Sequence, residues 1–323
     1  ADLEQVLGAI GFDYLALGPA LPSSPISYRL IPDLIQATER VFCSALMTGP
    51  GQEISLPAVR ACGEIIHQLG PLDPNGFANL YFTALANVPA GTPFFPAAYH
   101  GGDRAHFAIA VEAADLAVDA FRAADSLAQA QTLLQEAISD AGQLIAKAAG
   151  ELGAAGELIF SGIDFSLAPF PEVNKSLGEA LETLGVPRLG DFGSTAAAAL
   201  LVDSIDNAAF PRTGFSGLML PVLEDAVLAR RAAEGTLTLK DLLLFSTVCG
   251  TGLDTVPLPG DTTPEQLSAV LLDLTALAVR LDKPLTARLM PIPGKKTGEE
   301  TNFEFPYFAN SRVMDVQAAP LEG

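Results

Sequence analysis

Short apolar runs and longer amphipathic segments take turns along this chain, and that alternation narrows what it can fold into. Apolar residues recur at three- and four-residue steps through Ile109, Ala113, Leu116 and Ala120, then through Leu133, Leu134, Ile138 and Ile145. This is the period of a helix with one buried face, so residues 105–153 predict two long amphipathic helices. The same period predicts helices over 30–47, 56–69, 175–184, 195–207 and 264–281. The last opens on Thr263-Pro264-Glu265, a capping residue with proline at the first helical position. Between these segments lie runs too short for helices, at 14–17, 94–97, 158–164, 242–247 and 285–291. Strands separated by helices form crossover units and a mainly parallel sheet, which collects ligands beyond the carboxyl ends of its strands.

With 323 residues, 49% of them apolar, the chain can bury a large core. No repeat, low-complexity tract or charge run marks a boundary, so one domain over 1–323 is expected. Its 38 acidic against 18 basic side chains give a formal charge of -20, which repels nucleic acid and anionic membrane surfaces. Charged or proline residues interrupt every apolar run before the roughly 20 residues that a membrane span needs. Cys43, Cys62 and Cys249 are odd in number and lack C-x-x-C spacing, so neither a disulfide framework nor a zinc site is expected. Reduced thiols, the absence of a secretory leader pattern and the acidic balance predict a cytoplasmic protein. Its alanine-rich amphipathic helices predict a homo-oligomer, most simply a cyclic dimer.

Four segments carry groups suited to chemistry. In residues 242–261, LLLFSTVCGTGLDTVPLPGD, an apolar run leads into Cys249 and then into a stretch of three glycines and two prolines that reads as a shaped loop. Glycine amides beside Cys249 would favour its thiolate, making it a nucleophile, with Gly250, Thr251 and Gly252 offering backbone donors to a substrate. The competing reading is that Cys249 is a small core hydrophobe. In SGIDFSLAP, Asp164 suits a general base or a metal carboxylate, and equally an Asx turn or a cap. Asp164, Asp254 and Asp261, with Glu172, supply the hard oxygens that Mg²⁺ or Ca²⁺ requires. His100, across a glycine turn from His106, suits acid/base work or local packing, and His67 suits a structural role. Lys295 and Lys296, in PIPGKKTG, form a clasp for an anion or a solvated pair, and their spacing is not that of a phosphate loop. The glycine patterns, Gly190-Asp191-Phe192-Gly193 among them, form no dinucleotide fingerprint, so neither NAD nor flavin is expected.

The stretches FFPAAYHGGDRAHFAIAVEAADL, GIDFSLAPFPE, CGTGLDTVPLPGD and PGKKTG…FPYFANSRVM, spread from Phe94 to Met314, resemble the family labelled domain of unknown function 711, also called uncharacterised protein family 0210. The resemblance implies an α/β barrel related to pyruvate formate-lyase, with ten strands around an inserted loop and helices outside, Cys249 falling in the loop cysteine region. It does not carry radical chemistry with it. Arg312-Val313-Met314 runs on into Asp315-Val316-Gln317 without a radical glycine motif, and the loop holds a single cysteine.

These readings converge on a non-radical enzyme acting on a small polar or anionic metabolite, in a cleft between the CGTGLD loop and the GID motif. Asp164, Asp254, Cys249 and His100 are the candidate catalytic groups, and Lys295, Lys296 and Arg312 the cations for an anionic substrate. The alternative is a metabolite- or metal-binding regulatory protein without catalysis.

Overall fold

The computed structural model describes residues 2–320. Along the chain run α1 (Asp2–Ala9), β1 (Leu15–Ala20), α2 (Pro25–Gln36), β2 (Val41–Leu46), α3 (Leu56–Leu69) and β3 (Phe82–Ala86). Next come β4 (His106–Glu112), α4 (Ala114–Arg122), α5 (Leu127–Gly156), β5 (Ile159–Ala168), α6 (Leu177–Thr183) and α7 (Ser194–Asn207). The last elements are α8 (Ala226–Glu234), α9 (Leu239–Phe245), β6 (Gly252–Pro259), α10 (Pro264–Leu281) and β7 (Leu285–Ile292).

The strands form a five-stranded sheet in the order β1-β2-β3-β7-β6 and a two-stranded sheet of β4 and β5. Every pairing is parallel except that of β3 with β7. Residues 218–223 lie between the sheets: the Met219 amide donates to Ser166 O (3.1 Å) and the Val222 amide to Asp254 O (3.0 Å). One apolar cluster runs from Ala20 to Val316 and joins the covered sheet face to the helices. In α10, Leu267, Leu271, Leu274 and Ala278 are fully buried at the helical spacing, each leucine contributing about 2 kcal/mol on removal from water. That helix opens on Thr263, the cap its sequence predicts, and Gln266 returns the bond to complete a capping box. Among the described residues no helix is long and apolar enough to cross a membrane.

The α/β alternation therefore stands, with corrections in detail. The helix expected over 30–47 ends at Gln36, and Val41–Leu46 is a buried strand. The helical stretch expected from 105 opens instead with β4. Residues 94–97 form no strand, and 242–247 fall largely within α9, which starts from a capping box of Thr238 and Asp241. Short buried apolar runs fit either period, so flanking caps and pairing partners decide them. The supposed loop after Cys249 is largely β6, with Pro257 and Pro259 inside the strand. Among the described residues, seven strands in sheets of five and two replace the expected ten-stranded barrel with an inserted loop.

Candidate active site

Strand alternation gives the sheets two unlike faces. On β7, Leu285, Ala287 and Leu289 join the main core, which turns Thr286, Arg288 and Met290 the other way. On β6 the register shifts between Leu253 and Val256, so the core takes Leu253, Val256 and Leu258 while Asp254 meets Arg288; on β5 the core residues Ile163, Phe165 and Leu167 alternate with Asp164 and Ser166. The second face of the five-stranded sheet, its inner face, thus gathers charge. Arg288 Nε donates to Asp254 Oδ1 at 2.5 Å and its Nη2 to Asp254 Oδ2 at 2.9 Å, a two-bonded fork. The same Nη2 donates to Glu224 Oε1 at 2.8 Å. Arg288 is 8% exposed and Asp254 7%, yet Arg288 Nη1 has no partner among the described residues and is not sealed off. Burial pushes the Glu224 carboxyl up; Arg288 opposes this, while the Asp254 and Glu112 carboxylates add to it. Beside Asp254, the β-branched Thr255 holds a φ of 41°, a strained conformation of the kind that gathers at functional sites.

Asp164 is fully buried and accepts from Ser166 Oγ (2.5 Å), the Phe215 amide (2.7 Å) and the Ser216 amide (2.8 Å). Burial pushes its carboxyl up, against these donors and the charge of Arg212. Gly214 has φ 61°, and a Cβ there would lie 2.1 Å from Asp164 Oδ2, so only glycine lets the loop close over the carboxylate. Three residues on, a Cβ on Gly217 would lie 2.7 Å from Gly250 N. Asp164 and the Cys249-Gly250 segment are therefore neighbours through residues 214–217, although Asp164 lies within β5 and Cys249 precedes β6.

Proximity does not make that segment a cleft. The Cys249 side chain is fully buried in the main core, and its amide bonds to Phe245 O at 2.8 Å. Thr251 Oγ1 donates to Leu218 O, and Thr251 O accepts from the amide and the hydroxyl of Thr286. At Gly252 a side chain would strike the β7 backbone at Thr286. Thr251 and Gly252 thus serve sheet assembly, while Gly250 packs against the backbone of Phe215 and Gly217. We expect all three thiols to resist iodoacetamide in the native protein and to alkylate together in denaturant. Burial raises Cys62 and pushes Cys43 up to about 12, and Cys249 has no exposed surface. Mass spectrometry finding a native adduct on Cys249 would restore it as a nucleophile.

The remaining cations lie elsewhere. Lys295 and Lys296 follow the carboxyl end of β7, whereas Cys249 precedes the amino end of its parallel neighbour β6, a strand length of about 25 Å away. The Lys296 amide is held by Glu299 Oε2 at 2.5 Å. Arg312 sits half-exposed, 3.9 Å from an exposed Glu300, a surface pair worth little. Asp261 is exposed in the turn after β6, and Glu172 pairs with Lys175 at 3.2 Å. Among the described residues no three His, Cys, Asp or Glu side chains are grouped to hold a metal ion, so the proposed Mg²⁺ or Ca²⁺ set of Asp164, Asp254 and Asp261 does not form. His100 is exposed, with its ring 5.7 Å from that of His106. Arg288 and Glu224 escaped the reading of the sequence, although Arg288 is the only charge in the otherwise apolar strand LTARLMPI.

What these observations define is a mixed α/β protein whose parallel-rich five-stranded sheet carries a charged inner face. The chain belongs to the family described as Uncharacterised ACR (DUF711), which it matches over residues 1–306. It is 38% identical to a UPF0210 protein of Pyrobaculum arsenaticum over 322 aligned positions, covering 93% of this chain and 69% of that relative. It is 34% identical to a UPF0210 protein of Pelotomaculum thermopropionicum and 31% identical to one of Neisseria meningitidis, each match covering 93% of this chain and 70% of the relative.

Proposed function

We propose that this chain is an enzyme acting on a small polar or anionic metabolite at the inner face, without radical chemistry. Arg288 Nη1 holds an anionic oxygen of the substrate, and Glu224 carries the proton. The observation that supports this reading is a buried guanidinium fixed by Asp254 with one nitrogen left open, beside a carboxylate whose second oxygen, Oε2, has no hydrogen bond among the described residues. Asp254 fixes the direction of the guanidinium, and the raised proton affinity of Glu224 suits it to give and take a proton near neutral pH. Asp164, with both oxygens engaged, shapes the loop at 214–217.

Thermal-shift screening of small carboxylates, phosphates and keto acids tests the reading, followed by proton-exchange NMR on each compound that stabilises the protein. Arg288→Lys, checked for folding by circular dichroism, should weaken binding about 10- to 100-fold by losing the fork geometry. Glu224→Gln should retain binding and slow exchange or turnover at least about 100-fold, with equal rates in air and under nitrogen. Unchanged binding in Arg288→Lys would remove the anion site. Binding with no turnover in the wild type would leave a regulatory metabolite-binding protein.

A further inference from the structure

β1 and β4 are the outer strands of their sheets, and among the described residues each has one edge unpaired. Between them opens a cavity of about 580 Å³ that shares no lining residue with the Arg288 network. Its wall includes Phe12, Tyr14, Phe95, Tyr99 and Phe107, with Asp13 as the only carboxylate. Neither lysine nor arginine lines it. Its other ionisable groups besides the tyrosines are His100 and His106, and His106 Nδ1 lies 3.0 Å from Ser161 Oγ. Phe12 is 58% exposed, Tyr14 57% and Phe95 40%. Apolar area of this kind, gathered at one opening, marks a contact surface. The rings are also held in place. Phe42, buried behind the wall, meets Tyr14 edge-on at 5.5 Å and Phe95 at 5.2 Å. Tyr99 is tied by its hydroxyl, which donates to Val88 O at 2.7 Å.

Aromatic faces carry negative electrostatic potential, and a rigid set of them beside one carboxylate attracts a cation with an apolar body. The surroundings act in the same direction, because a net charge of -20 raises the local concentration of cations. We propose that this cavity binds an organic cation, a quaternary or aryl-substituted ammonium compound, with its charge between Asp13 and the faces of Tyr14 and Phe95. A purely apolar ligand would gain nothing from Asp13, and an anion would meet Asp13 and the ring faces unfavourably.

Isothermal titration and ligand-detected NMR with three probes of similar shape separate these cases: benzyltrimethylammonium, its uncharged carbon isostere neopentylbenzene, and phenylacetate. We expect benzyltrimethylammonium to bind at least about tenfold more tightly than either of the others. Tyr14→Leu and Phe95→Leu, which keep apolar bulk and remove the ring, should each weaken it about 5- to 10-fold, and Asp13→Asn about 2- to 5-fold. All three positions are exposed, so these variants should fold, and Phe192→Leu, at an exposed ring outside the cavity, should bind like the wild type. Equal affinity for the isostere, a preference for phenylacetate, or no binding of the cation would each overturn the proposal.

Discussion

Asp225→Ala is expected to lower the stability of the chain by about 3–5 kcal/mol, or to leave it insoluble, because one carboxylate closes two helices at once. Asp225 is fully buried and caps its own helix α8 by accepting from the amides of Val227 (2.9 Å) and Leu228 (3.0 Å). It also reaches back to the start of α6, accepting from Ser176 Oγ (2.6 Å), Leu177 N (2.7 Å) and Gly178 N (3.3 Å). Alanine would leave those donors without partners in a site closed to water. Asp225→Asn should fall between alanine and the wild type, since it keeps an acceptor but turns an amide toward donors. Urea unfolding decides the matter, and a loss below about 1 kcal/mol for Asp225→Ala would show that water or rearrangement replaces the cap.

A comparable loss is expected when either partner of the inner-face pair is removed. Arg288→Met leaves Asp254 buried without its counter-ion and Asp254→Leu does the same to Arg288, each costing about 3–5 kcal/mol. The double variant should be more stable than the less stable single one, because it abandons both buried charges together. Strictly additive losses in urea would contradict a direct pair. The pH dependence has a definite sign. Burial raises the proton affinity of Glu224 in the folded chain above its ordinary value of 4.5, so its share of stability is full below that pH. That share falls as pH rises through the higher folded value. Urea midpoints of Glu224→Gln should therefore fall less than those of the wild type from about pH 4.5 to 8, and parallel curves would reject the assignment.

Helices with long periodic stripes were legible in the sequence: α3, α7 and α10 lie where their spacing puts them, because a stripe that recurs over many residues fits one period only. β2 and α9 were misread because VFCSAL and LKDLLLF are both short and apolar, and their difference lies in a capping box and in neighbours far along the chain. β6 was hidden by Gly252, by the glycines flanking it and by its two prolines, which read as a loop until pairing with β7 is taken into account. Asp164 and Asp254 stood out as acids beside small residues; the first is held under the loop at 214–217 and the second on the inner face. Arg288 was visible only as a lone charge inside an apolar strand, and Glu224 gains its role from an arginine 64 positions away. No local pattern encodes such a pairing.

The antiparallel junction of β3 and β7 also sets a schedule for synthesis. The Thr83 hydroxyl donates to Ala287 O across 204 positions of sequence. At roughly 5–20 residues per second, the edge of β3 emerges about 10–40 s before the strand that covers it has been made. Through that interval Phe82, Ala84 and Leu85, all buried in the finished protein, belong to a nascent unit with an open side. A ribosome pausing late in this message would therefore extend the life of an adhesive intermediate.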